Sequence, residues 1–182
     1  MPHVKEPDEP PQESLSSEAD GSDPQVMASA LAAELLARSA MVSTAESLTG
    51  GALGDLLSAA PGASDTYLGG VVSYATALKV TLLGVSQATV DRHGVVSAEC
   101  AGAMATGARA LTGSDYSVST TGVAGPAEQE GKPVGLVFVG VAGPGGVSTK
   151  ELHLDGNRAQ VRDTACLEAI SAVLEAVVSA PE

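Results

Sequence analysis

Apolar positions recur along this chain with two different periods, and the switches between those periods mark out its elements. Val26, Leu31, Leu35 and Leu36 predict a helix from Pro24 to near Ser39. Ala40, Met41 and Val42 then form an apolar run of strand type, and Ala52, Leu53, Leu56 and Leu57 return to helical spacing. Pro61-Gly-Ala-Ser64 is a turn signal. Tyr67-Leu-Gly-Gly-Val-Val-Ser-Tyr74 predicts a buried strand, and Ala75 to Leu83 a short helix closed by Gly84. Val96-Ser-Ala-Glu99 has the form of a helix start, continued by the Ala-rich run from Ala98 to Leu111. Tyr116 to Thr121 predicts a strand running into Gly122-Val-Ala-Gly-Pro126. Val134 to Ala142 and Val147 to Leu154 predict two strands joined at Gly143-Pro-Gly-Gly146, a hairpin signal, and a last helix spans about Asn157 to Val178. Helices alternating with strands, plus one hairpin, predict an α/β fold with three α/β/α layers and a mixed sheet.

Residues 1–24 do not follow this pattern. Glu6, Asp8, Glu9, Glu13, Glu18, Asp20 and Asp23 lie among Pro and Ser with almost no large apolar residue. Such a segment cannot offset its ordering entropy, which predicts a disordered acidic tail ahead of a single domain over 25–182. A domain of this size buries roughly 70% of its unfolded surface and needs no covalent or metal staple. Cys100 and Cys166 are far apart in helix-like sequence, which argues against a disulfide framework or a zinc cluster and fits a reducing cytosol. No apolar run reaches the ~20 residues of a membrane span, and the N-terminus lacks a secretory pattern, so a soluble cytoplasmic protein is expected.

Charge narrows the ligands. A net charge of −13 with only nine Lys and Arg argues against a nucleic-acid footprint. Three Tyr, one Phe and no Trp supply few stacking platforms. Neither nucleic acid nor a membrane is expected as a partner, whereas one helix N-terminus and one Arg suffice for a small anion. The sheet edges or the Ala-rich helix could mediate a homo-oligomer.

The chemistry concentrates in Thr44-Ala-Glu-Ser-Leu-Thr-Gly-Gly51, where a strand gives way to a helix. A hydroxyl- and glycine-rich turn there makes a polar pocket floor, with free backbone N–H groups directed at an anion or a polarised carbonyl. Ser47 is the one side chain in it able to act as a nucleophile. A Ser-His-Asp arrangement needs a histidine base, and His3, His93 and His153 are isolated, with no metal-type pair among them. A lysine whose pKa is lowered by burial is the alternative base. Lys79 stands alone in the apolar run Tyr74-Ala-Thr-Ala-Leu-Lys-Val-Thr-Leu-Leu, either as a snorkelling surface lysine or as a desolvated functional one. Gly125 to Pro133 only imitates a phosphate loop. Its spacing is one residue too long, Pro133 replaces the magnesium-binding hydroxyl, and two glutamates lie inside it.

Several motifs occur in order: Thr44 to Gly51, Gly69-Gly-Val-Val-Ser-Tyr74 with Lys79, Leu82-Leu-Gly-Val85, His93-Gly-Val-Val-Ser97, Thr121-Gly-Val-Ala-Gly-Pro126, Lys132-Pro-Val-Gly135 and Gly156-Asn-Arg158. Together they resemble the CinA C-terminal domain family, the competence-damage family whose enzymatic members are nicotinamide-nucleotide amidohydrolases. The resemblance covers roughly residues 26 to 178. It implies a Ser/Lys amidohydrolase with Ser47 as nucleophile and Lys79 as general base, and Tyr74 and Thr121 as polar residues around the pair. By the same resemblance, Thr49, Gly50 and Gly51 match a helix start that donates N–H groups to an oxyanion. Gly122, Gly125 and Arg158 extend the set toward the phosphate and ribose of a ligand on chemical grounds. No metal or organic cofactor is implied, and the substrate implied is nicotinamide mononucleotide. Leu48 stands where many relatives have Cys, and the loop Ala127-Glu-Gln-Glu130 is acidic where relatives are Gly-rich. Two other readings compete with this one: a non-catalytic nucleotide-binding or competence/damage-associated accessory domain, and an amidohydrolase for another small carboxamide.

Overall fold

The computed structural model describes residues 23–180. Five strands form one mixed sheet in the order β2-β1-β3-β4-β5. In chain order the elements are α1 Pro24–Ala37, β1 Val42–Glu46, α2 Ala52–Ala59, α3 Ala63–Thr66, β2 Tyr67–Val72, α4 Thr76–Thr81, α5 Gln87–His93, α6 Ala98–Thr112, β3 Tyr116–Gly122, β4 Leu136–Gly143, β5 Gly146–His153 and α7 Arg158–Val178. β1 runs parallel to both β2 and β3, while β4 and β5 are antiparallel additions. The three-layer α/β/α architecture with a mixed sheet is the one the periodicity predicts.

Two cores lie on opposite faces of the sheet. On one face Leu31, Leu35, Leu53, Leu57, Ile170 and Val173 from α1, α2 and α7 pack on Val42, Val118, Val137 and Val139. On the other, Cys100, Ala101, Met104 and Ala108 of α6 pack on Ala45, Phe138 and the loop residues Leu83, Val85, Val95 and Val96. Cys100 and Cys166 are both free and buried, one in each core.

Several boundaries differ from the sequence expectation. Asp23, assigned to the tail, caps α1, which starts at Pro24 as the periodicity predicts: the Asp23 carboxylate accepts the Gln25 N–H and Pro24 takes the first turn, where no N–H donor is needed. Positions 1–22 of the expected tail lie outside the described residues. The strand expected at Ala40–Val42 begins at Val42 and carries on through Thr44-Ala-Glu46, all of it buried. Polar composition hid this strand, whose side chains bond inside the protein. β2 is an edge strand with alternately exposed residues and not a fully buried one. The short helices α3 and α5 have too few turns to show a period; Ser86 caps α5 by accepting the Thr89 N–H. α7 begins one residue after Asn157, which forms a capping box with Gln160.

Candidate active site

Strand pairing assembles the site. β1 and β2 align Glu46 with Val72, and the ladder continues one step further through Ser73 N–H to Glu46 O at 2.8 Å. On the other side Ser47 N–H donates to Thr120 O at 2.9 Å, extending the β1–β3 pairing. Ser47 therefore leaves β1, the middle one of the three parallel strands, fixed between Ser73 and Thr120. The C-terminal ends of three parallel strands meet at this point, which is where open α/β sheets place their ligands.

Lys79 reaches the same spot from α4. Its side chain is 1% exposed, which removes the snorkelling alternative. Nζ lies 2.9 Å from Ser47 Oγ, 2.6 Å from Ser73 O and 3.4 Å from Tyr74 O. Both carbonyls can only accept, so they take N–H donors from the amine in either protonation state. A protonated Lys79 also donates to Ser47; a neutral one keeps the two carbonyls and offers its lone pair to the Ser47 hydroxyl. Burial lowers the Lys79 pKa below the ordinary lysine value, opposed by the nearby Cys100 and Glu130. The same burial pushes the Cys100 thiol up to about 11, so this sulfur behind the lysine is held as the neutral thiol.

A cavity of about 150 Å³ opens at the dyad. Ser47, Lys79, Tyr74, Thr121, Gly122, Gly125 and Arg158 all line it, with Val95, Val96 and Gln129. Thr121 Oγ1 donates to Val95 O at 2.6 Å, so its proton is engaged and only its oxygen lone pairs are open to a ligand. Arg158 spans the mouth: one guanidinium nitrogen donates to Gly125 O at 2.5 Å and the other to the Tyr74 hydroxyl at 3.2 Å.

Thr49, Gly50 and Gly51 do not line this cavity. The Thr49 hydroxyl is buried against Glu46 and Thr120, Gly50 N–H donates to Ser47 O, and Gly51 N–H donates to the Glu46 carboxylate. Both glycines have positive φ, +62° and +101°, which lets the chain reverse into α2. Of the expected oxyanion donors, the Gly51 N–H is thus taken by an internal carboxylate and the Gly50 N–H by a backbone carbonyl. Among the described residues, the Leu48 and Thr49 N–H groups donate to no protein acceptor, and Leu48 borders the cavity. Leu48 itself is 4% exposed and serves the core.

The acidic loop is tied to the cavity wall. Glu130 turns back to accept the Val95 and Val96 N–H groups, the former at 3.0 Å, and Lys132 donates to His93 O and Val96 O. Glu130 therefore anchors the cavity wall through the backbone of Val95 and Val96. His93 and His153 pair with Glu99 and Glu151 respectively, away from Ser47. Sequence reasoning missed Glu46, Thr120, Glu130 and Arg162, whose guanidinium donates to Thr49 O at 2.7 Å. Glu46 was visible only as an acid beside Ser47; no local signal marks the others.

Comparisons with known proteins identify the family and agree with the fold. Residues 24–177 match the family model described as the CinA C-terminal domain. A CinA-like protein from Frankia casuarinae is 44% identical over 147 residues, and one from Thermosynechococcus vestitus 46% over 140. These stretches cover 81% and 76% of this chain but 34% of each relative, so the chain spans about a third of the length of these curated relatives. The crystal structure of a competence-damaged protein (CinA) superfamily member from Escherichia coli superposes with a TM-score of 0.84 at 33% identity, covering 89% of this chain and 95% of that one. The competence/damage inducible protein CihA from Agrobacterium tumefaciens gives 0.82 at 32% identity, covering 90% and 100%. By sequence and by structure, this chain belongs to the CinA C-terminal domain family.

Proposed function

We propose that this chain is a nicotinamide-nucleotide amidohydrolase that converts nicotinamide mononucleotide to nicotinate mononucleotide and ammonia. The observation that carries this reading is the 2.9 Å approach of a buried Lys79 amine to Ser47 Oγ at the C-terminal end of β1. The cavity size supports it: about 150 Å³ suits a pyridine ring and its carboxamide and is too small for a whole nucleotide. The ribose phosphate then extends through the mouth, where Arg158 offers a guanidinium.

In the proposed reaction Ser47 Oγ attacks the carboxamide carbon while neutral Lys79 takes its proton. Negative charge gathers on the carbonyl oxygen, toward the Leu48 N–H; one such donor is typically worth ~3 kcal/mol in the transition state. As the C–N bond breaks, protonated Lys79 passes its proton to the departing ammonia, leaving an ester on Ser47. Water attacks that ester, Lys79 accepts the water proton, and its return to Ser47 Oγ releases the nicotinate product.

The test is release of ammonia and nicotinate mononucleotide by wild type, Ser47→Ala and Lys79→Ala. Product from wild type alone is expected. Turnover surviving in Ser47→Ala would overturn the mechanism, and an inactive wild type the function. A panel of carboxamides with and without the 5′-phosphate separates this substrate from other small amides.

A further inference from the structure

We infer that Glu46 is a positioning residue that sets the nucleophile turn from inside the protein, an inference that rests on the amidohydrolase reading for its kinetic part only. Glu46 is 2% exposed, beside Ser47, yet its side chain points away from the cavity and into the start of α2. One carboxylate oxygen accepts from Gly51 N–H at 2.8 Å, Leu53 N–H at 3.1 Å and the Thr49 hydroxyl at 2.8 Å. The other accepts from Gly54 N–H at 2.8 Å, with Thr44 Oγ1 more distant at 3.4 Å.

A carboxylate has no proton to give, so the single Thr49 hydroxyl proton goes to Glu46, and Thr120 Oγ1, 2.8 Å away, donates to Thr49 in turn. The chain Thr120 to Thr49 to Glu46 thus has one direction. It ties β3 to the turn whose Leu48 N–H is left for the substrate. Glu46 takes the place at the α2 N-terminus that an external anion would otherwise fill, and its acceptors satisfy three of the N–H groups a helix start leaves unpaired. Gly54 fits this role. Ala is the better helix former at that interior position, but a Cβ there would sit 2.7 Å from Tyr67 Oη and 3.1 Å from the Glu46 carboxylate.

Glu46→Gln keeps the size of the side chain and replaces one acceptor oxygen with an NH2 donor facing N–H groups. A turn held loosely misplaces Ser47 and the oxyanion donor but not the ligand mouth at Arg158. Expected in the full chain is a fall in kcat of about 10–10²-fold with KM within about twofold. The pH midpoint of kcat stays where it is, because the titratable groups that act on Lys79 are Cys100 and Glu130, and Glu46 is not among them. Amide hydrogen exchange at Gly51, Leu53 and Gly54 is expected to accelerate, while Val118 and Val139 in the sheet keep their protection. Thr49→Val, which removes one donor to Glu46, is expected to give a smaller fall in kcat and serves if Glu46→Gln does not fold. Unchanged kcat in both variants, a shifted pH midpoint, or exchange accelerating equally across the sheet would overturn the assignment. If wild type does not turn over nicotinamide mononucleotide, the function fails, and exchange at the three amides still decides whether Glu46 holds the turn.

Discussion

The parallel and antiparallel halves of this sheet use buried strands for different ends. β1 and β3 bury Ser43, Thr44, Glu46, Ser117, Ser119, Thr120 and Thr121. β4, two places from β1, buries Leu136, Val137, Phe138, Val139, Val141 and Ala142, with no side-chain hydrogen bond. An unpaired buried hydroxyl or carboxylate is costly, so the parallel half must satisfy each polar group it contains. It does so locally: Ser117 Oγ donates to Ala105 O and Ser119 Oγ to Ala101 O, fixing α6, while Glu46 and Thr120 hold the turn at Ser47. The difference teaches that one half supplies burial and the other spends part of that stability on geometry. Parallel strands also release their C-terminal loops on one side of the sheet, which an antiparallel hairpin does not.

The division can be broken most decisively at Lys79. Lys79→Met keeps an apolar stem of similar length, so the fold is expected to persist while kcat falls by about 10³-fold or more. Thermal unfolding measured beside steady-state kinetics checks both. Loss of fold together with activity would mean that the parallel half also depends on this residue for stability. Next in size, Val139→Ala in β4 is expected to cost about 2 kcal/mol of stability through lost burial and a cavity. Denaturant titration measures this, and kcat/KM of the folded fraction should match wild type. Arg158→Ala is expected to raise KM about tenfold for the 5′-phosphorylated substrate and little for the dephosphorylated nucleoside, with kcat near wild type. The smallest effect belongs to the hairpin surface. Lys150 and Glu168 form an exposed ion pair at 2.8 Å, and Lys150→Ala should change stability by less than about 0.5 kcal/mol.

pH sharpens the same contrast. In the proposed reaction Lys79 must be neutral to accept the serine proton, and burial lowers its pKa, so kcat should rise with pH and reach half its plateau below 10.5. The sign for stability follows. Between the lowered folded pKa and the unfolded value of 10.5 the unfolded chain binds more protons, so stability due to this group increases with pH through that window. A pH series of unfolding midpoints for wild type and Lys79→Met isolates it, because the variant lacks the rise.

Much of the fold was legible because long, periodic elements announce themselves: α1, α6, α7 and the β4–β5 hairpin lie within a few residues of their expected limits. β1 was less legible, since Thr44-Ala-Glu46 reads as a loop until its partners are known. Among site residues, Ser47 and Lys79 were found from chemistry and resemblance. Thr49 to Gly51 were assigned to the substrate side because a helix start offers free N–H groups, and nothing local reveals that Glu46 turns back to accept them.

By itself, then, the sequence determined an α/β layering, a hydroxyl- and glycine-rich turn with one serine of the type a nucleophile requires, and the lack of any well-placed histidine to activate it. Hydrophobic period and residue chemistry are local properties, readable along one chain. Tertiary structure alone decided that Lys79, 32 residues beyond Ser47, meets it at 2.9 Å. It also decided that Glu46 faces inward and that Glu130 braces the cavity wall. Those outcomes depend on strand register and on which buried polar groups find each other. Both are set by pairing across the sheet, between residues far apart in the chain.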